Sequence, residues 1–208
     1  MNGLKIGNLT ARIPVIQGGM GVGISLSGLA SAVANEGGVG VISCAGLGLI
    51  YREKARSYME SCIVGLKEEI RKTKEKTTGI VGVNIMMALT NFSDMVKTAI
   101  AEKADVIFAG AGLPLDLPKY LTPGSITKLV PIVSSARAAK IICEKWKANY
   151  DYLPDLIVVE GPKAGGHLGF KQNQIVDPNY SIENLIPDVV REVALFEEKY
   201  SQEIPVVA

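Results

Sequence analysis

The chain has 208 residues, 48% of them hydrophobic, and 22 Lys and Arg against 21 Asp and Glu leave a formal net charge of +1. That is apolar material for one sizeable core and a single domain over 1–208, while balanced charge without a basic stripe argues against nucleic acid as a partner. Charged or turn-forming residues interrupt every hydrophobic run short of membrane-spanning length, and residues 1–12 lack the apolar core of a secretory signal, so a soluble, cytoplasmic protein with no membrane contact is expected.

A first apolar strand over 13–17 runs into Gln17-Gly18-Gly19-Met20-Gly21-Val22-Gly23-Ile24-Ser25, with a helix predicted over 26–35. Glycines at this density let a ligand reach main-chain N–H groups, although their spacing is not that of the dinucleotide fingerprint. Ligand loop and tight strand-to-helix turn both fit. The second strand, 39–43, ends at Ser43-Cys44-Ala45-Gly46. With Cys62 and Cys143 far away and one histidine in the chain, neither a zinc site nor a disulfide framework is expected. Cys44 reads as a small packed thiol, since no second histidine is there to activate it.

A helix is predicted over 51–76, then a strand over 80–86 in which Asn84 interrupts Gly82-Val83-Asn84-Ile85-Met86. A buried amide needs partners for both donor and acceptor, supplied by backbone or by a polar ligand. Next come a helix over 91–103, a strand over 105–109 ending in Gly110-Ala111-Gly112, a strand over 129–134 ending in Ser134-Ser135, and a helix over 136–149. The strand over 156–160 leads into Glu160-Gly161-Pro162-Lys163-Ala164-Gly165-Gly166-His167-Leu168-Gly169. His167 is the only histidine, hence the one side chain whose unperturbed pKa suits proton transfer near neutrality; a structural role is the alternative. A polar stretch over 171–179, either a substrate wall or a surface excursion, precedes a helix over 182–200. The apolar run 204–208 has no turn or polar tail after it, so the chain is expected to break off inside its own fold.

Short, continuously apolar strands alternating with amphipathic helices predict an α/β protein with a parallel sheet buried on both faces. Small residues close every strand, which favours a TIM-type (β/α)8 barrel, with ligand access all round its C-terminal mouth, over an open sheet with one switch point. Seven strands are visible; the barrel is expected to be incomplete at its C-terminus.

Taken together and in order, Gln17-Gly18-Gly19-Met20, Gly82-Val83-Asn84-Ile85-Met86, Gly110-Ala111-Gly112, Glu160-Gly161 with Ala164-Gly165-Gly166-His167, and the run 204–208 resemble the FMN-dependent nitronate monooxygenase family. This family, formerly called 2-nitropropane dioxygenases, is related to the FMN-containing enoyl-acyl-carrier-protein reductases. The resemblance covers essentially the whole chain. It implies a barrel holding FMN at its mouth and oxidising alkyl nitronates or nitroalkanes, small molecules, with oxygen. Carried onto this sequence, Gly18, Gly19 and Met20 would lie beside the isoalloxazine ring and Asn84 would hydrogen-bond the flavin. Gly110 and Ala111 would line the ring or ribityl chain, Ser134 and Ser135 would supply polar contacts, and Gly161, Gly165 and Gly166 would complete the cradle. His167 matches the family's catalytic histidine, and no metal is implied. The Gln-Gly-Gly-Met and Val-Asn-Ile-Met forms also suit the reductase branch, so an NAD(P)H-dependent enoyl-acyl-carrier-protein reductase is the alternative. A third reading is a non-catalytic barrel fragment that associates through its open edge, for instance as a homo-oligomer.

Overall fold

The structure, a computed structural model, describes residues 3–208. It divides into two compact units, one formed by Met1–Phe108 with Tyr120–Lys128, the other by Ala109–Lys119 with Leu129–Ala208.

The first unit opens with an antiparallel hairpin, β1 (Leu4–Ile6) and β2 (Leu9–Ala11), registered Leu4↔Ala11 and Ile6↔Leu9. Gly7, at φ +57°, supplies the left-handed step that a two-residue hairpin turn needs. The expected strand over 13–17 contracts to one parallel bridge, Ile16↔Val39, flanked by bonds from Val39 N–H to Val15 O (2.9 Å) and Gln17 N–H to Val39 O (3.0 Å). Pro14 brings no N–H and Gly18 ends the run, which leaves too little backbone for a regular ladder. Then follow α1 (Ser27–Asn35), β3 (Gly40–Ser43), α2 (Leu47–Ile50), a 3-10 turn at Arg52–Lys54, α3 (Tyr58–Lys76), β4 (Val81–Met86), α4 (Phe92–Ala101) and β5 (Val106–Gly110), which crosses into the second unit at its end. The helix predicted from 51 starts at Tyr58 because Ser57 caps it: its hydroxyl accepts the Glu60 N–H at 3.2 Å, while the Glu60 carboxylate accepts the Arg56 N–H at 3.0 Å. β3 and β4 pair in parallel from Gly40↔Val81 to Ser43↔Asn84.

Helix α1 has no capping side chain of its own; its first residue, Ser27, donates its N–H to the buried Glu69 carboxylate of α3 at 2.7 Å. The carboxylate also accepts from the Tyr51 hydroxyl and from Lys72 at 3.3 Å. Burial pushes the Glu69 carboxyl up, but these donors outweigh it and hold it below the ordinary carboxylate range.

The second unit contains β6 (Lys128–Val133, its first residue in the other unit), α5 (Ala136–Tyr150), β7 (Ile157–Val159), α6 (Gln172–Ile175), a 3-10 turn at Pro178–Tyr180, α7 (Ile182–Tyr200) and β8 (Val206–Val207). Parallel pairing runs through Ile132↔Val158 and Val133↔Val159, then Ile157↔Val206 and Val158↔Val207. Trp146 of α5 is fully buried and donates its ring N–H to Pro114 O at 2.8 Å.

One device recurs at the strand starts. In the first unit Asp105 donates its N–H to Val81 O (2.9 Å) and accepts the Val81 N–H on its carboxylate (2.8 Å); in the second, Asp155 does the same with Leu129 (3.1 and 2.8 Å). The strand order follows chain order from β3 to β8 in a six-stranded sheet, the strand-and-helix alternation of a partial TIM-type barrel. Among the described residues no helix is long and apolar enough to cross a membrane.

Candidate functional site

In the first unit the glycine-rich loop is wound around the fully buried hydroxyl of Ser25. That oxygen accepts from Gln17 Nε2 (2.9 Å) and the Met20 N–H (3.0 Å), and donates to Gly18 O (3.1 Å). Gln17 also ties the loop to β3, donating to Val41 O at 2.9 Å and accepting the Val41 N–H at 3.3 Å. Neither Gln17 nor Ser25 stood out in the sequence as a site residue; a polar pair bracketing the glycines was the available signal. The arrangement leaves Gly18, Gly19 and Met20 exposed. A Cβ on Gly18 would meet nothing within 4 Å, whereas one on Gly19 would lie 2.4 Å from Asn84 Cβ. Gly19 and Asn84, predicted together, are therefore in direct contact. The half-buried Asn84 carboxamide takes part in no hydrogen bond among the described residues. Val22, at φ +50°, is a β-branched residue in the left-handed region, and its strained turn is held by donation to Ala45 O at 2.8 Å. Cys44 is buried, and burial first, then the neighbouring Cys62, pushes its thiol far above the ordinary range, as an inert packed thiol requires.

In the second unit Gly110 is buried at the end of β5, with its missing Cβ 3.0 Å from Ile132 Cβ. Ala111 follows at φ +53°, another non-glycine residue in the left-handed region. Ser135 caps α5, its hydroxyl accepting the Ala138 N–H at 3.2 Å, so that oxygen already has a structural partner. Ser134 instead donates to Gly169 O at 3.2 Å. Gly161 is half-buried against Ile182, and Gly165, Gly166 and His167 are exposed in an open loop in which Gly166 adopts φ +85°. The His167 ring makes no hydrogen bond among the described residues. Glu160 accepts the Gly169 N–H at 3.2 Å, and its carboxyl is pushed up by burial, with that bond opposing the shift. A cavity of about 940 Å³ opens here, with Ile132, Val158, Glu160, Gly161, Val176 and Ile182 in its lining. The polar stretch over 171–179 thus walls a cavity through Ile175, Val176, Asp177 and Pro178. Among the described residues no three His, Cys, Asp or Glu side chains gather as they would around a metal ion.

The nitronate monooxygenase family model matches residues 2–104 and 66–208, nearly all of the sequence. The chain belongs to the nitronate monooxygenase family. Among solved structures that share this fold, FabK from Thermotoga maritima superposes with a TM-score of 0.65 at 28% identity, over 93% of this chain and 49% of FabK. Nitroalkane oxidase from Streptomyces ansochromogenes gives a TM-score of 0.69 at 18% identity, over 95% of this chain and 58% of the oxidase, a likeness in fold. A curated relative from Mycobacterium tuberculosis, named (3aS,4S,5R,7aS)-5-hydroxy-7a-methyl-1-oxo-octahydro-1H-indene-4-carboxyl-CoA dehydrogenase, is 29% identical over 157 residues, 75% of this chain and 38% of the relative. The chain thus spans about half the length of these solved structures and less of the curated relative.

Proposed function

We propose that the protein is an FMN-dependent oxidoreductase that oxidises alkyl nitronates or nitroalkanes with molecular oxygen, and that residues 1–208 belong to its single FMN-binding domain. The observation that carries the reading is the Asn84 carboxamide, half-buried against Gly19 and without a hydrogen-bond partner among the described residues. A polar group so placed beside exposed glycine backbone suits the heteroatom edge of a planar ligand. The residues present fit FMN in the first unit, where Gly18, Gly19 and Met20 would offer backbone to the ring and Asn84 its amide. In the second, Gly110, Ala111, Ser134, Gly161, Gly165 and Gly166 would line the cofactor, with Ser135 contributing through backbone while its hydroxyl caps α5.

FMN, when bound, supplies the electron-accepting chemistry. The chain's own contribution is orientation and proton control. The carbon beside a nitro group is acidic, and His167, on its exposed loop, would take that proton or steady the resulting anion. Gly165 and Gly166, immediately before it, leave the ring room to approach a substrate.

A second reading, transfer of hydride from NAD(P)H through FMN to an enoyl thioester, is favoured by the Gln-Gly-Gly-Met and Val-Asn-Ile-Met motifs and by the CoA ester in the name of the Mycobacterium tuberculosis relative. The two separate cleanly. Under air, the full-length protein loaded with FMN should consume oxygen with propyl nitronate; under anaerobiosis it should leave NADH and NADPH unoxidised. Rapid bleaching of the flavin by NAD(P)H, followed by reoxidation with a crotonyl thioester, would establish the second reading in place of the first.

A further inference from the structure

We propose that Glu160 and Ser134 form a two-point clasp on Gly169 that holds the loop carrying His167, which makes Glu160 a positioning residue for the histidine. The inference rests on the reading of His167 given above for its functional half, and on geometry alone for its structural half.

The loop needs an anchor. Its first turn is closed where Ala164 donates its N–H to Gly161 O at 3.1 Å. Beyond that, Gly165, Gly166 and His167 are exposed, and the next backbone groups tied to the body of the unit are both on Gly169. Its N–H goes to the Glu160 carboxylate at the end of β7, and its carbonyl to the Ser134 hydroxyl at the end of β6. These strands are paired next to each other through Val133↔Val159, so the clasp is mounted on rigid sheet. Close approach demands glycine at 169: a Cβ there would lie 2.6 Å from Ser134 Oγ and 3.0 Å from Ser134 Cβ. His167 sits two residues away, a span of roughly 7 Å of extended chain, so losing the anchor frees the ring to move by far more than an ångström. A misplacement of about 1 Å can cost on the order of 10²-fold in rate.

A carboxylate is the stronger acceptor for this backbone N–H, but the geometry needs only an oxygen at that point. Glu160→Gln keeps one; Glu160→Ala does not. Gly169→Ala attacks the same contact from the other side.

The experiment uses the full-length protein with FMN and three readouts. Trypsin cleavage at Lys163 and Lys171, which flank the histidine, reports loop opening. The ring resonance of His167, the only histidine in the 208 residues, is followed by ¹H–¹³C spectra of histidine-labelled protein, assigned by its loss in His167→Ala. Turnover of a neutral nitroalkane is compared with that of the pre-formed nitronate. For Glu160→Ala and Gly169→Ala, cleavage should rise about tenfold or more, the population shift that follows loss of a charge-assisted hydrogen bond. The His167 signal should narrow towards its free-peptide position. Nitroalkane turnover should fall about 10- to 100-fold, well beyond any fall with nitronate. Glu160→Gln should stay within about threefold of the parent in all three, because its amide oxygen still accepts the N–H. Unchanged cleavage and an unchanged His167 signal in Glu160→Ala would overturn the clasp. So would Glu160→Gln behaving as badly as Glu160→Ala, since the carboxylate would then act through its charge. A parent that turns over no nitroalkane would remove the functional reading, while cleavage and the resonance would still decide the clasp.

Discussion

Gly19→Ala tests the contact at the heart of the first unit's site. The added Cβ would stand 2.4 Å from Asn84 Cβ, 2.7 Å from its Cγ and 2.9 Å from its Oδ1. Carbon atoms pack at ~3.5–4.0 Å, so the nearest pair is short by about 1.1 Å or more. Rotating the Asn84 side chain cannot relieve a clash with its Cβ. Either the loop lifts, against the bonds that Ser25 makes to Gly18 and Met20, or β4 shifts against β3 at Ser43↔Asn84. Overpacking of this kind costs about 1–3 kcal/mol. The displaced Asn84 amide would also lose the hydrogen bond proposed to FMN, worth about 0.5–1.5 kcal/mol, which is roughly 2- to 13-fold in the FMN dissociation constant. Urea denaturation and quenching of FMN fluorescence read the two effects separately. Asn84→Ala should weaken FMN while leaving the clash with Gly19→Ala intact; Asn84→Gly, which removes the Cβ, should relieve it in the double variant. Wild-type stability and FMN affinity in Gly19→Ala, or full rescue by Asn84→Ala, would refute the reasoning.

Glu69→Gln should lower stability near pH 7 by about 1.5–3 kcal/mol, because three donors lose their ionised acceptor. The folded-state carboxyl is held below its ordinary value of about 4.3, so the stabilisation is complete above that pH and fades as pH falls through the lower, folded value; urea midpoints of parent and variant should draw together as the solution is acidified through that range, and a gap independent of pH would count against it. Ser135→Ala should destabilise by about 1 kcal/mol through loss of the α5 cap, with the FMN spectrum retained; a lost spectrum would give the hydroxyl a direct cofactor role. Cys44 and Cys143 are buried, and burial, then the nearby Glu192 and Glu144, pushes Cys143 up to about 12, so both should react with a thiol reagent only once denaturant is present. Prompt labelling of either in the native protein would contradict that packing.

The strands from β3 onward and the long helices were legible because buried parallel strands are continuous apolar runs, and the helices between them carry their charges on one face; the four-residue helices α2 and α6 were missed, being too short to show a helical period. The β1–β2 hairpin was missed: two three-residue strands show no periodicity, and only Gly7-Asn8 hinted at a turn. The start of α3 was written in Ser57-x-x-Glu60, a local signal that the longer apolar pattern obscured. For the site, glycine content located the loops, but sequence cannot see which glycine touches what. Gly19 is fixed by Asn84, 65 positions later, and Gly169 by Ser134, 35 positions earlier. Glu160 lay in a motif that was read for its glycines and histidine, and its own role came from the bond its carboxylate makes across the loop.

The most direct test of the central claim is His167→Ala in the full-length, FMN-loaded protein, with oxygen uptake measured on nitroethane and on pre-formed ethyl nitronate. General-base help is worth about 10²–10⁴-fold. Nitroethane still carries the proton that the base must remove and nitronate has already lost it, so the variant should lose activity in that range with nitroethane and much less with nitronate, and keep an unchanged flavin spectrum. Equal losses on both substrates, or loss of FMN from the variant, would contradict it.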